Sequence, residues 1–169
     1  MIAINTISQP ARWLRDTYSC AVSVVIVNYN ARAMLERTLE TLYESQPACS
    51  FEVILIDNAS DDDSVALVRG RFPQVRLIVN PANVGLVRAN NQGMELAQGR
   101  YIFQLNNDTI ILPHAIDALV DYLEEHPHVG AVGGKVLNID GSIQGTVKAH
   151  PTPMAAFFGR HSPLTKLFP

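Results

Sequence analysis

The stretch Val22-Ser23-Val24-Val25-Ile26-Val27-Asn28-Tyr29-Asn30 decides the fold. Its first part, VSVVIV, is almost unbroken, apolar and mostly β-branched. Such a run suits a strand covered on both faces, as in a parallel sheet. It stops at a polar Asn-Tyr-Asn. A helical stripe follows, with Met34, Leu35, Thr38, Leu39, Leu42 and Tyr43 on one side, and Pro47 closes it.

Outward from there the pattern repeats. Phe51 to Ile56 reads as a second strand, closing on Asp57-Asn58-Ala59-Ser60. Ser60, with Asp63 three residues on, resembles a helix N-cap ahead of Val65, Leu67 and Val68. A third strand spans Val75 to Val79, and a helix runs from Gly85 to Gln98 with Gly99 as its stop. Tyr101 to Leu105 is a fourth strand, ending at Asn106-Asn107-Asp108. Pro113 opens a helix bearing Ile116, Leu119, Val120 and Leu123, and His126-Pro127 closes it. Val129 to Leu137 reads as a fifth strand, and Asp140-Gly141 as a hairpin turn. The alternation predicts an α/β fold: an open, mostly parallel, doubly wound sheet with helices on both faces.

Composition narrows the function. The 169 residues are 47% hydrophobic and 17% charged, which fits one globular domain and excludes disorder. A net charge of −3 offers no basic patch, so no nucleic-acid partner is expected. Two cysteines, Cys20 and Cys49, make a disulfide framework improbable and a reducing compartment the default. No apolar run approaches a membrane span, and residues 1–20 lack a signal-peptide core.

Ligands of open α/β sheets bind beyond the carboxyl ends of the strands. Here those ends supply Asn28-Tyr29-Asn30, Asp57-Asn58, Asn80 with Asn83, and Asn106-Asn107-Asp108. Asp57 reads as a turn former or as an acceptor for a base N–H or a ribose hydroxyl. Tyr29 can stack on a base or cover the sheet edge. Asp108 is the natural ligand for Mg²⁺ or Mn²⁺, and equally a polar turn residue. The segment Asn83 to Gly93 puts Asn90, Asn91 and Gly93 inside a helix, against propensity, which points to close packing or a ligand. Arg88 within it reads as a phosphate contact or as a solvated charge.

Several motifs are missing. The first strand-helix turn has no glycine for a dinucleotide, and no P-loop, GxSxG elbow or zinc spacing occurs. His126-Pro127-His128 reads as a solvated loop. A receiver-like signalling domain would need an acidic cluster where this chain has Asn-Tyr-Asn.

Taken in order, VSVVIVNYN, EVILIDNASDDDS, NPANVGLVRANNQG, GRYIFQLNNDT and VGAVGGKVLNIDGSIQ resemble the inverting family 2 glycosyltransferases of GT-A fold, in particular their bacterial rhamnosyltransferase-like branch. The resemblance covers Val22 to Gln144. It implies a nucleotide-binding set of Val27, Asn28, Tyr29, Asp57, Asn58, Asn83, Gly85, Arg88, Asn91, Asn106 and Asn107. Asn106-Asn107-Asp108 takes the place of the family's DxD motif, with Asn in the first position, leaving Asp108 as the metal ligand for Mg²⁺ or Mn²⁺. The implied reaction moves a sugar from a UDP- or dTDP-linked donor to a glycan or lipid-linked glycan acceptor, with inversion.

The family's general base follows the DxD motif in an acidic segment that has no counterpart here. Asp140, the last carboxylate, falls in a structural turn. The expectation is therefore a truncated enzyme. Residues 1–20 form an extension, 21–150 the donor-binding domain, and 151–169 the start of an incomplete acceptor half. Met154, Phe157 and Phe158 are expected to be exposed there. A cytoplasmic location with peripheral contact at the inner membrane face is expected too. The alternative is a module that binds nucleotide sugars without transfer.

Overall fold

The VSVVIV run lies at the centre of a parallel sheet, as its lack of polar alternation requires. In the computed structural model, which describes residues 18–138 and 140–144, it belongs to strand β1 (Cys20–Asn28). The elements that follow are α1 (Arg32–Glu44), β2 (Phe51–Asp57), α2 (Ser64–Arg71), β3 (Arg76–Val79), α3 (Leu86–Glu95), β4 (Gly99–Asn106) and α4 (Ala115–Glu125). The sheet order is β3-β2-β1-β4, with every pair parallel. Register sets Asn28 beside Asp57, and Val27 beside Asn106. The strands thus end level, and the polar residues that follow them share one surface.

Alternating residues of the strands feed two cores. Val22, Val24, Ile26, Val53, Leu55 and Leu105 pack with Leu35, Leu39 and Leu42 of α1, Val68 of α2 and Ile116 of α4. On the other face, Ile54 and Ile56 pack with Ala89 of α3. Each fully buried aliphatic side chain contributes about 1.5–3 kcal/mol. Gly93 explains the breach of helix propensity in α3: a Cβ there would run into the Val25 side chain, so glycine lets α3 settle onto β1.

Five expectations change. Ser60 is not a cap: α2 begins at Ser64, after a left-handed Asp63, and Ser60 is spent on the strand ends. Gly99 does not stop α3, which ends at Glu95; it opens β4, where a Cβ would collide with the Ser23 nitrogen and the Val22 carbonyl carbon of β1. Pro113 lies two residues ahead of α4, whose N-cap is a left-handed His114. Met34 is exposed, and Thr41 takes a place in the α1 buried set. No strand forms over 129–137 apart from a single bridge from Leu137 to Ile143. That stretch carries Gly130, Gly133 and Gly134, which offer no side chain to pack on a neighbouring strand.

The chain divides after Val132 into two units. In the second, Asp140-Gly141 turns a short antiparallel hairpin, with Gly141 at φ +81° and hydrogen bonds from Asn138 N to Ser142 O and from Gln144 N to Val136 O. The expectations for Met154, Phe157 and Phe158 lie outside the described residues.

Candidate functional site

The winding of the sheet reverses between β1 and β4, where open α/β sheets form their binding crevice. Asn28 closes β1 there and is fully buried. Its Nδ2 donates to Asp57 Oδ2 at 3.1 Å and to Ser60 Oγ at 3.2 Å. Its Oδ1 accepts from Asn107 Nδ2 at 2.9 Å. Asp57 is also fully buried, and its Oδ1 accepts from the Ser60 backbone N–H at 2.8 Å. A carboxylate out of water is tolerated only when hydrogen-bonded. Here an amide and a backbone N–H serve it, and among the described residues no cation pairs with it.

A second group of amides holds the β2 and β3 ends to the loop before α3. Asn58 Nδ2 donates to Asn83 Oδ1 at 2.7 Å, while Asn58 Oδ1 accepts from Asn80 Nδ2 at 3.2 Å and from Val84 N at 3.0 Å. Asn80 and Gln92 exchange two further bonds. Gly85, at φ +84°, makes the turn into α3 that few other residues could make.

Asp62 ties together two helix starts. Its Oδ2 accepts from Arg32 N at 2.7 Å, at the head of α1, and its Oδ1 accepts from the backbone N–H and hydroxyl of Ser64, at the head of α2. Burial pushes its carboxyl up, but those hydrogen bonds outweigh burial and hold it below the usual range. Two residues in these loops, Asn30 (φ +48°) and Ala59 (φ +67°), take left-handed conformations. For alanine that conformation is costly, and such strain gathers at sites where the surroundings impose it.

The sequence-derived residues thus separate by exposure. Asn28, Asp57 and Asn58 are buried in the frame, and Val27 and Asn107 are half-buried. Tyr29 (51% exposed), Asn83, Gly85, Arg88, Asn91, Asn106 and Asp108 face outward. Arg88 has no ion-pair partner among the described residues. Ser60, Asn80 and Gln92 complete the frame; the sequence put Asn80 at a strand end and Ser60 at a helix cap, and it gave Gln92 no place. Asp57 had a local signal, since Asp before a turn readily accepts a nearby backbone N–H, here that of Ser60 three residues on. The pairing of Asn80 with Gln92 crosses from β3 to α3 and had none.

A shallow pocket of about 260 Å³ opens on the α1 side of Asp108, bounded by Met34, Arg37, Thr38 and Ile110. It does not lie over the Asn28–Asp57 pair. Thr38 Oγ1 is buried beside it, without a hydrogen-bond partner among the described residues.

The donor set bears on a metal. Among the described residues no three His, Cys, Asp or Glu side chains gather into a cation site. Asp108 is a single exposed carboxylate. Mg²⁺ typically takes one or two carboxylates and completes its shell with phosphates and water. The residues present therefore fit a cation shared with a bound diphosphate.

The family model for glycosyl transferase family 2 matches residues 23–165, most of the chain. The chain belongs to glycosyltransferase family 2. The N-acetylglucosaminyl-diphospho-decaprenol L-rhamnosyltransferase of Mycobacterium tuberculosis is 30% identical to it over 157 residues, covering 86% of this chain and 50% of the relative, in keeping with the rhamnosyltransferase-like branch. Two solved structures share the GT-A fold. TarS of S. aureus (residues 1–349, in complex with UDP-GlcNAc) has a TM-score of 0.55 and 21% identity, covering 63% of this chain and 32% of its own. The mannosyltransferase of Pyrobaculum calidifontis, in complex with GDP-Man and Mn²⁺, has a TM-score of 0.54 and 22% identity, covering 66% and 37%. The chain spans half or less of the length of the curated relatives compared with it.

Proposed function

We propose that this family 2 chain binds the nucleotide diphosphate of a UDP- or dTDP-linked sugar across the ends of β1, β2 and β4. The enzyme it serves transfers that sugar, hexose or rhamnose, to a glycan or lipid-linked glycan acceptor with inversion at the anomeric carbon. One observation carries the reading: exposed Tyr29, exposed Asp108 and Arg88, which has no ion-pair partner among the described residues, lie on the segments joined by a hydrogen-bonded amide frame at the switch point of the sheet.

In this reading Tyr29 lies against the base, and Asp57, on the buried frame, fixes the loop that meets base and ribose. Arg88 approaches the diphosphate from α3; among the described residues nothing pairs with its guanidinium. Asp108 would hold Mg²⁺ or Mn²⁺ together with the diphosphate; bound there, the ion supplies Lewis-acid neutralisation of the leaving group. Asn107 sets the position of the segment that carries Asp108.

The acceptor hydroxyl must give up its proton opposite the leaving diphosphate, to a carboxylate within hydrogen-bond reach. We assign no residue of this chain to that work. Asp140 is committed to the hairpin, where its carboxylate accepts from the Ser142 hydroxyl at 2.6 Å and the Ser142 N–H at 2.9 Å; those bonds lower its pKa. A base needs the opposite shift. The reading is that the base comes from another segment of a longer protein, and that this chain alone transfers weakly or not at all. The lipid-linked substrate in the mycobacterial relative's name supports an acceptor at the inner membrane face. Among the described residues no helix is long and apolar enough to cross a membrane.

Calorimetric titration of the chain with UDP and with dTDP, each with and without Mn²⁺, tests the reading. Binding that strengthens with Mn²⁺ is expected. No heat in any combination overturns it.

A further inference from the structure

We infer that Asn28 is a positioning residue: its buried side-chain amide locks the Asp57 carboxylate at the end of β2 to Asn107, the residue before Asp108, at the end of β4. The inference rests on the donor-binding reading above and deepens it, because it assigns the spacing between the base side and the diphosphate side of the cleft to one side chain of β1.

The amide can be oriented by chemistry alone. An ionised carboxylate only accepts, so Asn28 must turn its NH₂ toward Asp57 and its oxygen toward Asn107. Both amide hydrogens then have partners, at 3.1 Å (Asp57 Oδ2) and 3.2 Å (Ser60 Oγ), and the oxygen takes Asn107 Nδ2 at 2.9 Å. No donor remains for a ligand, and the side chain is fully buried. Asn28 therefore serves the nucleotide only through Asp57 and Asn107. The backbone repeats the tie, since Asn58 N donates to Asn28 O at 2.8 Å.

The charged groups at the carboxyl ends of the strands and the first turns of the neighbouring helices are Asp61, Asp62 and Asp63 after β2, Asp108 after β4, Arg32 on α1 and Arg88 on α3; Glu52 and Arg100 lie toward the amino end of the sheet, and Glu36, Arg37, Glu40, Glu44 and Glu95 further along the helices. All are exposed or half-buried, and Asp62 is engaged with Arg32 N and Ser64. The buried Asn28–Asp57 contact is thus the place where a new charge would be felt most.

Asn28→Asp is the test. It keeps the shape and an acceptor for Asn107 but sets a second carboxylate against Asp57. Two carboxylates at that distance share a proton, with one pKa raised. The shared proton holds the bridge at low pH; its loss at high pH leaves two like charges that push the β1 and β2 ends apart. Two readouts are needed. In the ¹⁵N spectrum the Asn107 side-chain amide of the variant titrates with the carboxylate pair. In calorimetry with UDP and Mn²⁺, the affinity of the variant relative to wild type falls as pH rises, by about tenfold across the titration that the Asn107 amide reports, a free-energy change of about 1.4 kcal/mol.

A ratio that stays flat with pH overturns the inference, since a merely structural Asn28 would lower the melting temperature without this profile. An Asn107 resonance that does not titrate overturns it as well. If wild-type protein binds no UDP, it is the donor-site reading that fails, and the Asn107 titration alone decides the coupling. Should Asn28→Asp not fold, Asn107→Ala cuts only the β4 side of the bridge. It is expected to shrink the gain in UDP affinity that Mn²⁺ gives, with the melting temperature nearly unchanged; an undiminished gain overturns the inference.

Discussion

The two ends of the sheet use the same device for different ends. At the amino end, Ser23 of β1 is fully buried; its hydroxyl donates to Glu52 Oε1 of β2 at 2.5 Å and accepts from Gly99 N of β4 at 2.8 Å. At the carboxyl end, Asn28 of the same strand links Asp57 of β2 to Asn107 beyond β4. In both, one short polar side chain on the central strand spans its neighbours. At the amino end Ser23 and its partner Glu52 both accept from backbone N–H groups, Ser23 from Gly99 and Gln98 and Glu52 from Gln98 at 2.7 Å. The carboxyl-end bonds finish on side chains beside exposed Tyr29 and Asp108. A latch that ends on backbone only stabilises. One that ends on side chains also sets where the exposed groups beside them stand.

Substitutions can break that division or sharpen it. The largest effect is expected from Gly99→Ala, because the new methyl meets β1 backbone; a loss of about 3 kcal/mol is expected in chemical denaturation. The folded fraction should still bind UDP normally, and a weakened affinity there would erase the distinction between the ends. Asp108→Asn should do the reverse. It is expected to remove about a hundredfold of Mn²⁺-dependent UDP affinity, near 2.7 kcal/mol, at an unchanged melting temperature.

Ser23→Ala should lower stability by about 1–2 kcal/mol by leaving the buried Gly99 N–H short of an acceptor, again with binding intact in calorimetry. Asp62→Asn is the mildest, at about 1 kcal/mol, through weaker capping of α1 and α2. Its signature is pH. The Asp62 carboxyl is lowered in the folded chain, so the wild-type advantage is full above the ordinary carboxylate pKa and fades as pH falls through the folded value. Melting curves of both proteins across the acid range check this.

Much of this was legible in the chain. The VSVVIV and FEVILI runs announced buried parallel strands because both faces are covered, and each ran straight into the polar residues that form the site. What the sequence hid was which of those residues faces outward. Asn28, Asp57 and Asn58 look like ligands as much as Tyr29 and Arg88 do. Their burial depends on register between strands far apart in sequence, such as Asn28 beside Asp57. Gly99 looked like a helix stop because local rules are written for helix ends; its reason is a β1 backbone far away in the chain. The stretch 129–137 has strand-like residues at Val129, Val132 and Val136, but its glycines and the lack of a described partner strand leave it irregular.

Ala59 carries a consequence for anyone who selects this chain for heat resistance. A left-handed alanine costs about 1–2 kcal/mol that a glycine would not, partly offset by the freedom glycine adds to the unfolded chain. Thermal selection would therefore drift toward glycine between Asn58 and Ser60, loosening the loop that holds Asp57. Selection for nucleotide binding would keep the alanine, so the residue recovered at this one position reports which pressure was applied.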